Sequence, residues 1–591
     1  LRGNAGLDSY TDRRTDFLAA GSANALSGSY TEQFFQESQF NVNLYATARK
    51  TFSDSFAGTL LAGFNYNNRQ FNNAGATGTN FIAPLAPPSL GNMPAANLVA
   101  FNAAQTVRTS AGFLQANMDL ANQVTISLTG RAESASTFGP QASSVFFYPS
   151  ATASWQFSKM VGTNDFFSFG KLRASAGVVG KQPDPYLNLT KYTTQSYVDA
   201  FGGTLLASNY GVGGYAISTV AGNPKIRPEK KHEIEVGTDL RFFNDRVTFS
   251  ATAYYNQTTD AILQSQLAPS NGFSNYISNA GVIENKGLEL SLGATLLKLQ
   301  NGFTWNANVI WFAYRNLVTD LAGAQYILLA GFTDGSSVAT KGKALGELWG
   351  TFYQRNPDGS YYTDSNGFAY VNSNTGPIGN PNPDYKVSLG NTFSYKNLSL
   401  YVLFDASVGG KMWNGTQGAL WNFGTNKASA ASTTVSALDA SNIKTYDGHT
   451  VDTAPISSTN PNPRNVLNGD GTYTFRGTVG DFGAGKVALD EKWYQGAGSG
   501  FNVNAPYVQD ATWTRLREVT LAYSINSSGF KSATKLQSVS FALTGRNLLL
   551  WTPYQGIDPD TNLTGASNGR GLDYFQNPNT RSFIFKLTVA F

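Results

Sequence analysis

Val124-Thr-Ile-Ser-Leu-Thr-Gly-Arg-Ala-Glu133 alternates almost residue by residue, with Val124, Ile126, Leu128 and Ala132 set against Thr125, Ser127, Thr129, Arg131 and Glu133. Period two places successive side chains on opposite faces of a strand. The same alternation recurs along the chain. Phe40, Val42, Leu44, Ala46 and Ala48 interleave with polar residues, as do Ile234 to Phe242 and Val247 to Ala253. So do Leu398 to Ala406 and Phe583 to Phe591. Charges stand in the middle of several strands, at Arg131, Asp239, Arg241 and Asp405. In a sandwich the apolar face is inside and alternation alone would suit it. Mid-strand charge suits a wide, wet interior, with the apolar face turned outward to lipid.

Connection lengths point the same way. Short links are expected near Phe52–Ser55, Ala121–Gln123, Phe243–Arg246, Gln300–Gly302 and Tyr395–Asn397, with medium ones near 160–167 and 526–535. Between them come long ones, near 67–108, 181–231, 258–286, 317–383, 410–511 and 549–579. A barrel of the bacterial outer membrane has tight turns at one end and elaborate loops at the other, whereas a sandwich has no reason to. The fold class expected is therefore all-β, a transmembrane antiparallel β-barrel. About fifteen strands are counted back from Phe591, and an odd count suggests that earlier strands precede Leu1, since bacterial barrels close with even numbers. Trp155, Trp305, Tyr395, Tyr523 and Trp551 fall at strand ends, as interfacial girdles require.

Composition narrows the remaining classes. Of 591 residues 60 are glycine, aromatics make up 13% and charged residues 14%, a balance foreign to disordered and coiled-coil chains. No apolar run approaches the roughly 18 to 20 residues of a membrane-spanning helix. There is no cysteine, which removes disulfides, thiolate metal sites and cysteine nucleophiles. A formal charge of +4 is too small and dispersed for nucleic acid. The two histidines, His232 and His449, make neither a triad nor a zinc site, so no catalytic residue, cofactor or metal is assigned and the chain is not read as an enzyme. Asp358-Gly-Ser, Asp364-Ser-Asn-Gly and Asn468-Gly-Asp-Gly-Thr lack the closing acidic ligand of a calcium loop and read as turns. Asp558-Pro-Asp560 with Asn562 is a better oxygen cluster but still a weak one.

Several segments together resemble the C-terminal part of the SusC/RagA family of TonB-dependent outer-membrane transporters. They are Asn223-Pro-Lys-Ile-Arg-Pro-Glu229, Asn285-Lys-Gly-Leu-Glu289 and Gly379-Asn-Pro-Asn-Pro-Asp-Tyr385. Arg515-Leu-Arg-Glu-Val-Thr-Leu521, then Gly545-Arg-Asn-Leu548 and Tyr554 to Asp560, carry the most specific likeness. Tyr148-Pro-Ser stands where the family usually has Phe-Pro-Ser, and Asp560 where Glu is commoner. The resemblance implies a barrel of about twenty-two strands, with a plug and a TonB-contacting segment before Leu1. It also implies the Gram-negative outer membrane, import of a glycan or oligopeptide driven through TonB, and a SusD-like lipoprotein over the loops. A passive porin, or a barrel anchoring a larger envelope complex, is the other reading. Trp413, Trp421, Tyr446, Trp493 and Tyr494 in the 410–511 loop are candidates for facing substrate or partner; the plainer reading is that they fold the loops together.

Phe583, Phe585 and Phe591 on the last alternating strand resemble the signal that outer-membrane proteins present to their assembly machinery. Deleting Val589–Phe591 is expected to abolish membrane assembly. A normal heat-modifiable, protease-resistant barrel after that deletion would refute it.

Overall fold

The computed structural model describes residues 1–194, 196–198, 204–206, 215–332, 335–454, 465–565 and 567–591. The connection expected at 181–231 falls partly outside the described residues. Among the described residues the main sheet numbers seventeen strands, of which Val220–Ala221 is two residues long and parallel to its neighbour, leaving sixteen long ones. All fifteen strands expected from the alternation are present. The sixteenth is Arg2–Leu18, paired with Ser29–Ser53 from Leu18↔Ser29 to Arg2↔Tyr45. Its apolar residues Leu7, Tyr10, Phe17 and Leu18 keep no common parity, so periodicity could not reveal it. With sixteen strands the odd-count argument no longer holds.

Contacts divide the chain into two units. The first comprises Leu1–Gly162, Lys171–Val236 and Asn256–Val282, the second Thr163–Gly170, Gly237–Tyr255 and Ile283–Phe591. In the first, Ser29–Ser53, Phe56–Thr79, Leu98–Leu120, Val124–Ala135 and Phe146–Trp155 pair antiparallel in chain order. The connection expected at 67–108 shrinks to 80–97, and that at 258–286 to 267–274, because the flanking strands run on well past the alternating segment. Polar stretches such as Asn67-Asn-Arg-Gln70 read as loop in sequence but are held in the ladder by both neighbours.

Directly opposed residues share a face. One rung of the first unit reads Ala48, Leu60, Ala116, Leu128 and Ala151, and Leu128 is 47% exposed. The other face bonds within itself. Asn65 donates to Asn41 and Asn43 at 2.9 and 2.8 Å, Gln115 donates to Ser127, and Arg131 pairs with Glu133 at 2.6 Å. A soluble sandwich would bury the first face, and here it is the bare one. Asn223 to Glu229 clasps this unit: Gly139 and Gln141 donate to the carbonyls of Ile226 and Pro224, and Arg227 pairs with Asp260 at 2.6 Å. A Cβ on Gly139 would lie 2.2 Å from the Pro224 carbonyl oxygen, so the close approach requires glycine.

The second unit repeats the design with Phe303–Asp320, Tyr385–Tyr395, Leu398–Val408, Trp513–Ile525, Ser538–Trp551 and Ser582–Ala590. Phe393, Leu400, Leu521, Leu543 and Phe585 form an apolar rung across five strands, with Leu543 55% and Phe585 66% exposed. On the opposite face Thr520 and Thr544 join hydroxyls at 2.8 Å. Turns near Ala121 and Lys396 stay tight through left-handed residues, Ala121, Asn122 and Lys396. The described parts of the 410–511 connection, 410–454 and 465–511, are not irregular. They contain the helices Gly415–Asn422, Ala437–Asn442 and Glu491–Gln495, capped by the side chains of Asn414, Ser436 and Asp490.

Candidate functional site: an aromatic cleft in the loop layer

The loops of the second unit build their own cores. Phe368, Val487, Trp493 and Ala497 form one, with Tyr353, Tyr446 and Phe482 packed against it. Leu348, Trp413, Tyr507 and Leu572 form another. Trp413 and Trp493 are only 4% and 3% exposed, and an indole buried this deeply holds loops together, so the expectation that Trp413 faces substrate is corrected. Trp413 stacks on Tyr574 at 6.3 Å, and Trp493 on Phe368 at 5.2 Å. Tyr446 lies edge-on to Trp493 at 5.5 Å and serves the same core.

Trp421 and Tyr494 differ. They are half-buried, stack on each other at 4.1 Å, and border a cleft of about 560 Å³. Its aromatic wall continues through Tyr353, Phe482, Tyr507 and the inner ring Trp493, and its polar side carries Gln417, Gln509, Gln555 and Asp510. The three amides form a chain: Gln509 donates to Gln417, Gln417 donates to Gln555 at 2.9 Å, and the Gln555 amide N–H donates back to Gln509. Burial pushes the Tyr353 and Tyr507 hydroxyls well above their usual range, and hydrogen bonds from Thr512 hold the Asp510 carboxyl below its own. At neutral pH the cleft thus offers ring faces, neutral phenols, amides and one carboxylate. Such a wall can stack on a sugar ring or a peptide plane and hydrogen-bond its edges. The glutamines come from separate segments at no fixed spacing, which is why sequence reading passed over them.

Below the loops the most family-like segments converge. Arg515, 2% exposed, donates to both oxygens of Asp558 at 2.7 and 2.9 Å, and Asn579 donates to the same carboxylate at 2.7 Å. The ladder breaks register between Leu516 and Glu518, a bulge that inserts Arg517. Arg517 reaches Asp405 at 2.8 Å, Asp560 at 3.2 Å and Asn547 at 3.2 Å, and Arg546 pairs with Glu518 at 2.9 Å. Asp558 and Asp560 therefore serve guanidinium groups, and no group of three or more metal-ligating side chains occurs among the described residues. Asp358, Asp364 and Asp470 accept hydrogen bonds from amides two residues on, as turns do.

The remaining candidates lie in the strands. Arg131 faces Glu133 on the polar side, Asp239 accepts from Ser250 at 2.8 Å, and Arg241 sits 4.9 Å over the Phe169 ring. Asp405 lies on the face opposite the Leu400 rung. Phe583 and Phe585 stand on the apolar side of the terminal strand, and Phe591 follows it.

Strands bare and oily on one side, hydrogen-bonded and charged on the other, with folded loops joining them, define a β-barrel of the Gram-negative outer membrane. The chain belongs to the TonB dependent receptor-like β-barrel family, whose model matches residues 1–451. It is similar to a TonB-dependent receptor of Formosa agariphila, 25% identical over 511 residues, covering 81% of this chain and 45% of that protein. It is also similar to the TonB-dependent receptor SusC of Bacteroides thetaiotaomicron, 22% identical over 81% of this chain and 43% of that protein. Among solved structures the RagAB peptide transporter shares the fold, with a TM-score of 0.72 at 19% identity over 100% of this chain and 60% of that one. The chain spans about half the length of the curated relatives it matches. Strands such as Ser29–Ser53, at 25 residues, exceed the roughly 9 to 11 that cross a bilayer, so much of their length stands outside the hydrocarbon.

Proposed function

We propose that the chain serves active import of a bulky nutrient, a glycan or an oligopeptide, across the outer membrane, energised through TonB and assisted by a SusD-like surface lipoprotein over the loops. The observation that carries this reading is the cleft bordered by Trp421 and Tyr494, set in a folded loop layer rather than in loose surface coil. Membership of the TonB-dependent receptor family supports it. A layer with its own cores, Phe368 to Trp493 and Leu348 to Trp413, keeps a recognition surface in shape without a ligand. The aromatic and amide lining suits both cargo classes, because each presents flat faces edged with hydrogen-bonding groups.

Uptake is expected to vanish in a strain lacking TonB and to return on complementation, measured with labelled oligosaccharides and oligopeptides offered to the intact cell. Equal uptake in both strains would overturn the proposal and favour a passive pore. Trp421→Ala is expected to weaken capture about tenfold, in line with loss of one ring-stacking contact of about 1 kcal/mol and the apolar area it covers.

A further inference from the structure

A second cavity, of about 660 Å³, lies at the loop end of strands Tyr385–Tyr395, Leu398–Val408 and Trp513–Ile525. Its wall includes Lys386, Ser407 and Trp513, which stand directly opposite one another in the ladders and so share a face. That face also carries Asp405, and it is the polar one, opposite the Leu400 rung. Over it fold residues 559–565 and 567–571, which contribute Asp560 and Arg570.

Among the side chains that line the cavity the cations Lys386, Lys411 and Arg570 outnumber the one carboxylate, Asp560, which Arg517 holds at 3.2 Å; the nearby Asp384 carboxylate, packed against the lining Gly409, is held by Arg315 at 3.2 Å. Lys411 has Asp510 at 3.4 Å, outside the cavity lining. Neither Lys386 nor Arg570 meets a carboxylate within ion-pair distance among the described residues, and the Arg570 side chain donates only to the Tyr314 hydroxyl, at 3.1 Å. Cations brought together in one concavity with low-dielectric walls raise the local potential, which favours an anion there. An arginine fork lining the same cavity as an ammonium suits a carboxylate better than a diffuse counter-ion, since the fork binds two oxygens at once.

We propose that this cavity is a subsite for a carboxylate group of the transported molecule. The proposal deepens the import reading and rests on it for the word cargo, while the binding itself is independent of transport. A carboxylate could be carried by a uronic acid residue or by a peptide C-terminus, and the two sources are separable.

The test is calorimetric titration of the full chain, purified in detergent, with trigalacturonate, with maltotriose, and with acetyl-trialanine bearing a free or an amidated C-terminus. At least one free carboxylate probe should bind, its uncharged counterpart should bind at least tenfold more weakly, and added salt should erode the difference. Binding by trigalacturonate alone identifies an acidic glycan, and binding by the free peptide alone an oligopeptide. Lys386→Gln with Arg570→Gln should reduce that affinity about tenfold or more, the worth of a charge-assisted hydrogen bond. Arg570→Gln by itself, in an exposed loop that leaves the strands intact, should still lower it measurably. The proposal is overturned if no carboxylate probe binds below about 10 mM, or if the double variant, still heat-modifiable, binds as the parent does. Carboxylate binding without TonB-dependent uptake would remove the import reading and leave the subsite standing; uptake blind to charge would do the reverse.

Discussion

Arg515→Met is expected to destabilise the folded chain by about 3 kcal/mol, at the lower end of the roughly 3 to 5 kcal/mol typical when one member of a buried ion pair is removed. Both members are almost wholly buried, with side chains 3% and 4% exposed. Removing the guanidinium strands the Asp558 carboxylate in the protein interior. Asn579 still donates to one of its oxygens at 2.7 Å, which is why the lower end is expected. Asp558 belongs to the connection between Ser538–Trp551 and Ser582–Ala590, so the first consequence is loss of that connection's docking. Limited proteolysis should open within 552–581 before the strands do, and urea unfolding in lipid vesicles should show the full cost. The companion variant Arg515→Met with Asp558→Leu removes both charges and should recover most of the loss, since a buried pair replaced by apolar groups is often neutral. Unchanged proteolysis and unfolding in Arg515→Met would mean that the pair holds nothing.

The same residues show what was legible in the sequence and what was not. Alternation exposed the strands because a two-faced sheet between lipid and water leaves that imprint on every residue, as in Val124 to Glu133 or Leu398 to Ala406. It failed at Arg2–Leu18, whose apolar residues fall on both parities, and at the far ends of Phe56–Thr79 and Asn275–Lys298, where polar residues continue the ladder. Ladder hydrogen bonds are indifferent to side-chain polarity, so beyond the lipid-facing zone the pattern carries no signal. The likeness of Arg515–Leu521, Gly545–Leu548 and Tyr554–Asp560 to one family was visible, but not that these three separated segments meet at one bulge, with Arg517 touching Asp405, Asn547 and Asp560. The loop aromatics were the least legible. Trp413 and Trp421 stand eight positions apart, and only long-range packing makes one a fully buried member of a core and the other a half-buried ring at the same core's edge that also walls the cleft.

That distinction sets two substitutions in the 410–511 connection against each other. Trp493→Ala should cost about 3 to 5 kcal/mol, the usual range for truncating a fully buried tryptophan, because the cavity it leaves is walled by Phe368, Tyr353 and Phe482. The ring is packed directly on backbone: a Cβ on Gly498 would lie 2.3 Å from the Trp493 ring nitrogen. The loss should therefore appear as faster amide exchange over 437–454 and 465–497 and a lower melting temperature of the loop layer, with the strands still protected. Trp421→Ala truncates a half-buried ring that stacks on Tyr494 at 4.1 Å and packs only against the edge of the Leu348–Trp413 core, so its structural cost should be smaller, about 1 kcal/mol. Capture of cargo should fall in both variants for different reasons, and exchange separates them: protection is lost in the first and kept in the second. If Trp421→Ala loosens the layer as much as Trp493→Ala, the ring belongs to the core and the cleft loses its claim to be a binding surface. If Trp493→Ala leaves exchange unaltered, the loops hold their shape by some means other than the packing seen around Phe368.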